Sequence, residues 1–242
     1  MKHFALAACL TTALLSSAAY ADGNLGFTGG SITDDTHYAY VGGVTAFNGD
    51  IEKDGWLLRV TAATGSYDYS TGAGGIDGSL RNIDGDVTAS DFMAGYQVYF
   101  KGRGPKPDRL TGYLGLDSQN HKLSPTDLFN PVRGNETSVK GQVEVLYYAQ
   151  QNLLTTATIS YSDAFNTYWS RGSVGYDVGK ALIGPEALFM GSESYDQQRY
   201  GLHISDVSVV GSLKAGISGG YSISSRRGDD SGYGEFRLYS TF

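Results

Sequence analysis

Few residues of this chain have the types and spacing that catalysis or metal binding requires. Three histidines lie beyond residue 21, with His37 and His121 in predicted loops and His203 on a predicted strand. A hydrolase needs a histidine beside a nucleophile or an acid, and His37 has only Asp34 and Asp35 close to it in the sequence. The chain has no metal-ligand spacing, no phosphate-binding glycine loop and no nucleophile elbow. We therefore predict no catalytic residue, no metal site and no cofactor.

A cluster of charged side chains is the second candidate site. Arg171, Glu186 and Arg199 fall on the same face of three consecutive predicted strands, where they would form a buried Arg–Glu–Arg group. Buried ion networks more often fix the interior of a protein than bind a ligand. We therefore expect this cluster to have a structural role.

Aromatic side chains are the third candidate, and two interpretations of them stay open. Tyr67 and Tyr113 lie on the charged face of their predicted strands, and Tyr69 and Trp169 lie near strand ends. Aromatic rings at strand ends form the interfacial girdles of membrane barrels. The flat rings and hydroxyl groups could instead stack on sugars in the outer half of a barrel. This second interpretation predicts glycan-facing aromatic residues at these four positions.

Alternation of apolar and polar residues predicts the strands that carry these side chains. Ten segments show the pattern clearly, and two weaker ones, 25–31 and 38–47, precede them, which makes twelve candidate strands. The ten clear segments are 56–67, 90–100, 109–119, 137–148, 153–162, 168–178, 181–191, 198–204, 209–221 and 232–242. Most are close to the roughly 9 to 11 residues with which a tilted strand crosses a bilayer.

The distribution of charge favours a membrane barrel. The ten clear segments contain 13 charged residues, and every one falls on the face opposite the apolar face: Arg59, Asp91, Arg109, Asp117, Lys140, Glu144, Arg171, Asp177, Glu186, Arg199, Lys214, Glu235 and Arg237. Lipid requires a charge-free face, because a charge at the bilayer midplane costs about 2 to 4 kcal/mol. The predicted fold class is all-β, an antiparallel up-and-down outer-membrane β-barrel of about 12 strands, with 10 or 8 strands as alternatives.

The predicted connections fit such a barrel, which has short periplasmic turns and longer outer loops. The two longest connections, 68–89 and 120–136, both fall at the outer end, and a short turn is predicted at 205–208. Pro185 lies inside the predicted strand 181–191. A proline cannot donate to a sheet ladder, so we expect a bulge or a late start to that strand.

The first 21 residues are expected to be a secretory signal peptide. A short polar start precedes the apolar run 4–15 and a small-residue cleavage site at 19–21. Residues 22–242 would then form a single transmembrane barrel domain in the outer membrane of a Gram-negative bacterium, surrounded by outer-membrane lipid. No apolar run is long enough for a transmembrane helix, and a net charge of −7 does not favour nucleic acid as a partner.

Seven short blocks of sequence, spread over residues 41–199, together resemble one known family. They are VGGVTAFNGD at 41–50, DGWLLR at 54–59, HKLSP at 121–125, VRG at 132–134, AFNTYWSR at 164–171, GPE at 184–186 and YDQQR at 195–199. Their order and content are similar to the BcsS family, accessory proteins of bacterial cellulose biosynthesis. The resemblance implies an exported, outer-membrane-associated protein that serves cellulose export in a Gram-negative cell. It implies no reaction and no catalytic residue.

The function expected from these observations is that of a non-enzymatic accessory barrel of cellulose (exopolysaccharide) biosynthesis, which assists export, anchoring or organisation of the polymer. Seven basic and six acidic inward residues would pair across a narrow barrel, so we expect a lumen that is largely occupied. The expected partners are cellulose or other components of its export machinery. Two alternatives stay open: an outer-membrane enzyme acting on lipid or polysaccharide, and a porin for small solutes.

Overall fold

The computed structural model describes residues 23–72, 81–225 and 231–242, and over these ranges the chain forms a closed antiparallel β-barrel. The strands are β1 (Asn24–Thr33), β2 (Thr36–Ala46), β3 (Gly55–Thr71), β4 (Arg81–Phe100), β5 (Asp108–Ser124), β6 (Gly134–Gln150), β7 (Leu153–Ser162), β8 (Thr167–Asp177), β9 (Leu182–Ser192), β10 (Tyr195–Val210), β11 (Leu213–Ser224) and β12 (Ser231–Thr241). Each strand pairs with the next along the chain, and β1 pairs with β12 to close the ring. The predicted fold class and the count of 12 strands are confirmed. The predicted signal peptide lies outside the described residues.

The barrel has a proximal end, where β1 begins and β12 ends, and a distal end opposite it. A 3₁₀ turn, Ala164–Asn166, connects β7 to β8 at the distal end. Within the described ranges, no helix is long and apolar enough to cross a membrane.

Several strands extend further at the distal end than apolar alternation predicts. On β4 the outward side chains are apolar near Phe92 and Phe100, but Asp84 and Asp86 occupy outward positions closer to the distal end. The backbone ladder with β3 and β5 nevertheless continues past these positions. The predicted loops 68–89 and 120–136 are therefore partly strand. A ladder depends on backbone hydrogen bonds, which persist where the side chains leave the apolar band.

The turn predicted at 205–208 is wrong. β10 continues to Val210 through two irregularities of register, which begin after Ile204 and after Ser208, and the chain then turns at Gly211 with φ +56°. A register shift changes which residues share a face, so the alternation that marked the predicted strand stopped at Ile204.

The bulge or late start predicted at Pro185 is also wrong. β8 and β9 keep one register on both sides of this residue, with Ser173 opposite Glu186 and Tyr176 opposite Ile183. The residue pairs between these two positions, where Pro185 lies, are missing from the ladder because proline has no N–H to donate. The proline thus costs ladder bonds and does not displace the strand.

The pairing register places the 13 predicted charged residues on the lumen side, because directly paired residues share a face. Outward side chains are large, apolar and exposed, for example Leu114 at 65%, Ile159 at 62% and Leu202 at 66%. Exposed aromatic rings border this apolar surface, with Trp56, Tyr96, Tyr147 and Tyr176 on the proximal side and Tyr161, Tyr168, Tyr200 and Tyr221 on the distal side. Tyr69 and Trp169 face the lumen and are not part of either girdle.

Candidate functional site in the lumen and at the distal mouth

An ion network crosses the lumen at mid-height. Arg171 on β8 donates two hydrogen bonds to Glu235 on β12, at 2.8 Å from Nη1 and 2.6 Å from Nη2. The same Nη2 lies 3.4 Å from Glu186 on β9, and Arg237 lies 3.5 Å from Glu186. The side chain of Glu186 is 1% exposed. Since β8 and β12 are not neighbours in the ring, this network ties two separate parts of the wall together.

Arg199 occupies a different position from the one expected for the predicted Arg–Glu–Arg cluster. It is 2% exposed, its Nε donates to Gln197 Oε1 at 3.1 Å, and its guanidinium lies over the ring of Tyr233 at 5.4 Å from the centroid. Arg171 and Glu186 do meet, and Arg237 is the second arginine beside Glu186. The parity of a strand tells which face a side chain occupies but not which residues meet across a barrel.

Two further ion networks fill the opposite side of the lumen. Lys140 on β6 lies 2.8 Å from Asp91 on β4 and 3.6 Å from Asp117 on β5. Glu144, also on β6, lies 3.6 Å from Arg59 and 3.7 Å from Arg109. Opposite charges thus alternate around the interior of β3 to β6. The near balance of basic and acidic lumen residues that the sequence predicts is therefore present as direct ion pairs.

A loop spans the distal mouth. Residues 125–133, between β5 and β6, place Asp127 Oδ2 2.9 Å from the hydroxyl of Tyr69, which donates to it. Asn130 Nδ2 donates to the Tyr69 hydroxyl at 2.8 Å, and Asn130 Oδ1 accepts from Ser194 Oγ at 3.3 Å. Tyr69 belongs to β3 and Ser194 to the β9–β10 hairpin, which lies on the other side of the twelve-stranded ring. Asn130 therefore bridges opposite walls of the mouth.

His121 lies beneath this mouth in a polar and aromatic setting. Its Nδ1 is 3.1 Å from the Tyr67 hydroxyl, its Nε2 is 3.3 Å from Gln119 Oε1, and its ring meets Phe165 edge-on at 5.0 Å. His121 and His37 both lie on strands and not in loops, and His37 faces outward on β2. Among the described residues there is no group of His, Cys, Asp or Glu side chains that could hold a metal ion.

The four aromatic residues predicted to face a glycan all point into the lumen, but they differ in exposure. Tyr69 is 5% and Tyr113 is 7% exposed, so neither ring is open to a ligand in this conformation. Tyr67 and Trp169 are half-buried. Tyr38 on β2, which the sequence did not single out, faces the lumen with 38% of its surface exposed. Tyr38 and Tyr40 are two residues apart and therefore share a face, which could have indicated an aromatic lumen face. Apolar residues of β2 occupy both faces, so this pattern was not clear in the sequence.

The β2–β3 turn covers part of the proximal end of the lumen, next to β3 and β4. Gln97 Nε2 donates to the carbonyl oxygens of Ile51 and Lys53 at 2.8 and 2.7 Å, which holds the turn beneath the barrel. Ile51 packs there with buried apolar side chains that include Leu57 and Met93. At the tip of the turn, hydrogen bonding from Lys53 lowers the pKa of the Asp50 carboxyl. Apolar packing thus fills the part of the lumen that lies beside β2 to β5, below the ion networks.

Comparison with known proteins gives one family and several solved barrels. A KdgM porin in complex with disordered oligogalacturonate is similar with 10% identity and a TM-score of 0.48, over 90% of this chain and 99% of that chain. A Pseudomonas aeruginosa FadL homologue is similar with 10% identity and a TM-score of 0.45, over 92% of this chain and 76% of that chain. No curated protein matches the chain. A family model described as cellulose biosynthesis protein BcsS matches residues 25–242.

Proposed function

Because this chain belongs to the BcsS family of cellulose biosynthesis proteins, we propose that it is a non-enzymatic outer-membrane barrel that anchors or organises cellulose at the surface of a Gram-negative cell. Its immediate partners are then outer-membrane lipid and the polymer itself. Family membership supports the cellulose part of this proposal. The outer surface of the barrel supports the membrane location, the obstruction of the lumen supports anchoring, and the contacts of the histidines support a non-enzymatic role.

The outer surface supports a location in a membrane. The charges of the predicted strands face the lumen, and the outward face carries exposed side chains such as Leu116 at 56% and Ile217 at 58%. Aromatic girdles border this surface at both ends, as they do in barrels that sit in lipid. In water, an apolar surface of this extent would drive aggregation.

We choose anchoring of the polymer over its passage through the barrel because side chains obstruct the lumen. Arg171 contacts Glu235 between non-adjacent strands, and Asn130 bridges opposite walls of the mouth. A glucan chain passing through the barrel would have to break both connections. Leaving a buried charge such as that of Glu235 without its partner costs about 3 to 5 kcal/mol. We therefore assign the polymer to the distal surface and the upper rim rather than to a continuous channel.

The chemistry around the histidines supports a non-enzymatic role. The ring nitrogens of His121 contact the hydroxyl of Tyr67 and the amide of Gln119, and neither contact is with a carboxylate or with a serine, threonine or cysteine side chain. The carboxylates of the lumen, such as Glu186 and Asp91, are held in ion pairs. Carboxylates that are held in ion pairs stabilise the wall of the barrel, which supports a structural role for them.

A deletion strain tests the proposal. Total cellulose and the share of it that stays attached to the cells after washing are measured in the wild type, the deletion strain and the deletion strain that carries the gene again. We expect total cellulose to be unchanged and the attached share to fall, with recovery on complementation. A fall in total cellulose with an unchanged attached share would instead assign the protein to synthesis or export, and no change in either quantity would contradict the proposal.

A further inference from the structure

The loop at the distal mouth carries two exposed apolar side chains. Leu128 is 68% exposed and Phe129 is 76% exposed. Apolar side chains of the wall, such as Leu114 at 65%, have similar exposure, and a lipid-facing position accounts for it. Leu128 and Phe129 belong to the β5–β6 loop and not to a strand of the wall. Their exposure therefore needs a separate explanation.

Leu128 and Phe129 form the crest of this loop, directly above the mouth. Asp127 Oδ2 and Asn130 Nδ2, on either side of them, both contact the hydroxyl of Tyr69, which faces the lumen. Asn130 Oδ1 also accepts a hydrogen bond from Ser194 on the other side of the ring. The crest thus lies over the opening of the barrel and away from the lipid-facing surface.

Hydrogen bonds within the loop hold the crest in one conformation. Asp127 Oδ1 accepts a hydrogen bond from the backbone N–H of Phe129 at 3.0 Å, and Asn130 Oδ1 accepts one from the backbone N–H of Val132, also at 3.0 Å. Val132 is 4% exposed, so the loop buries one apolar side chain while it presents two others. A ring on a fixed backbone loses less conformational entropy when it binds a ligand.

The distal connections around the crest are acidic. Those between described strands are residues 34–35, 125–133, 163–166 and 193–194, and they carry five carboxylates and one guanidinium: Asp34, Asp35, Asp127, Asp163, Glu193 and Arg133. Like charges repel across an interface, so this end of the barrel disfavours a polyanion. The charge of the mouth suits a neutral polymer better than a polymer of acidic sugars.

The size of the crest favours a sugar over a protein. A stable protein interface buries about 800 Å² on each partner, which is far more than two side chains can supply. One aromatic ring is instead comparable in size to one pyranose ring. The flat face of an exposed phenylalanine is a surface on which the C–H face of a β-linked glucose unit can stack.

We propose that Phe129 is a binding site for a neutral β-linked glucan at the distal surface, where its ring stacks on one sugar unit and Leu128 extends the apolar contact. This inference rests on the proposed function and deepens it, since it identifies where the barrel holds the polymer. A glucan bound at the crest lies across the mouth and does not enter the lumen.

Binding of the purified barrel in lipid nanodiscs to amorphous cellulose tests the site, because the nanodisc covers the lipid-facing surface and leaves the loops free. The measured quantity is the partition constant, from the share of protein that the cellulose removes from solution. We expect Phe129→Leu to lower this constant about fivefold, because leucine is apolar but has no flat ring. Phe129→Trp keeps a ring and should bind like the wild type.

Phe47→Leu is the matched control. Phe47 is 70% exposed in the β2–β3 turn at the proximal end, so the same substitution there should leave binding to cellulose unchanged. A second control replaces the ligand. The same cellulose after carboxymethylation has the same backbone with carboxylates added, and the acidic mouth should bind it more weakly.

Four results would overturn the site: no binding by the wild type, wild-type binding by Phe129→Leu, an equal loss in Phe47→Leu, or equally tight binding of carboxymethylated cellulose. Trypsin cleavage after Arg133 at the wild-type rate shows that Phe129→Leu keeps the loop. If that rate differs, Phe129→Trp decides, since cellohexaose should shift the emission of the new tryptophan to the blue and an unchanged spectrum would contradict the proposal.

The deletion strain separates this site from the proposed function. If the gene with Phe129→Leu restores the attached share of cellulose as fully as the wild-type gene, the site is wrong and the proposed function stands. If deletion changes neither total nor attached cellulose, the proposed function fails whatever the purified barrel binds.

Discussion

Tyr113 on β5 lies directly opposite Gly95 on β4, and its ring occupies the space that a side chain on Gly95 would need. Phe27 on β1 has the same relationship with Gly42 on β2. Inward aromatic rings thus cover glycines on the neighbouring strand, which fills the lumen wall without overcrowding it. This pairing gives a structural reason for a chain that contains 34 Gly and 18 Tyr.

Substitution of Gly95 by alanine tests this relationship. The new methyl group would overlap the ring of Tyr113 and approach the carbonyl oxygen of Gly112 at 2.8 Å. We expect Gly95→Ala to lower the free energy of unfolding by about 1 to 3 kcal/mol, the usual cost of overpacking. Urea unfolding of the detergent-solubilised barrel measures it. Gly141→Ala is the control, because a side chain there would meet nothing within 4 Å, and an equal loss in both variants would contradict the explanation.

Neutralisation of Glu186 tests the ion network across the lumen. Glu186 accepts a hydrogen bond from Tyr233 at 3.0 Å and lies beside Arg171 and Arg237. Glu186→Gln leaves two buried guanidinium groups with less compensation, so we expect a loss of about 3 kcal/mol in unfolding free energy. Lys122→Gln, at an exposed position, should unfold like the wild type. A variant at Glu186 with wild-type stability would show that the network does not hold the barrel together.

Removal of the Asn130 side chain tests the bridge across the mouth. Asn130 contacts Tyr69 on one wall and Ser194 on the other. Asn130→Ala loses both contacts, so the loop should open more often and trypsin should cleave after Arg133 about fivefold faster. Leu128→Ala serves as the control because Leu128 is 68% exposed, and its cleavage rate should match the wild type. Unchanged cleavage of Asn130→Ala would mean that other contacts hold the loop.

Conductance in planar bilayers tests whether the lumen is occupied. We expect the wild type to conduct little, because ion pairs cross the lumen and the turn at Ile51 covers part of its proximal end. Lys140→Ala removes the cation between Asp91 and Asp117 and should raise conductance and cation preference. Lys214→Ala removes the ion pair with Asp206 between the neighbouring strands β11 and β10, and it should leave conductance unchanged. Large, steady wild-type currents would favour the porin alternative.

Substitution of His121 distinguishes the accessory role from an enzyme. His121 contacts Tyr67, Gln119 and Phe165, none of which is a carboxylate, so His121→Ala should leave cellulose retention as in the wild type. His37→Ala should behave in the same way. The washing assay for attached cellulose provides the measurement. Loss of retention by a correctly assembled His121→Ala barrel would favour an outer-membrane enzyme.

The strands and their faces could be predicted from the sequence because alternation is a local property. Phe92 and Asp91 are adjacent in the chain, so their opposite faces follow from the pleat of one strand. Strand ends were predicted less well. Apolar alternation stops near Phe92 although β4 begins at Arg81, and the bulge after Ile204 changed the parity on which the prediction of β10 depended.

The candidate site depended on relationships that no local pattern contains. Tyr38 was missed because β2 carries aromatic residues on its lumen face, where the neighbouring strand β3 carries the charged Arg59. Tyr69 was predicted near the outer end of its strand, and it lies close to the distal end of β3 at Thr71, but only the fold of the loop at Asp127 and Asn130 buries it.

The sequence by itself determined twelve strands, a charge-free outer face and an interior of balanced charge, because each follows from the period of two along single strands. The tertiary structure alone decided that Arg171 meets Glu235, that Arg199 lies beside Gln197, and that Asn130 joins Tyr69 to Ser194 across the mouth. Contacts across a barrel depend on ring closure, strand register and tilt together. These are properties of the whole sheet, and they have no signature in the spacing of residues along one strand.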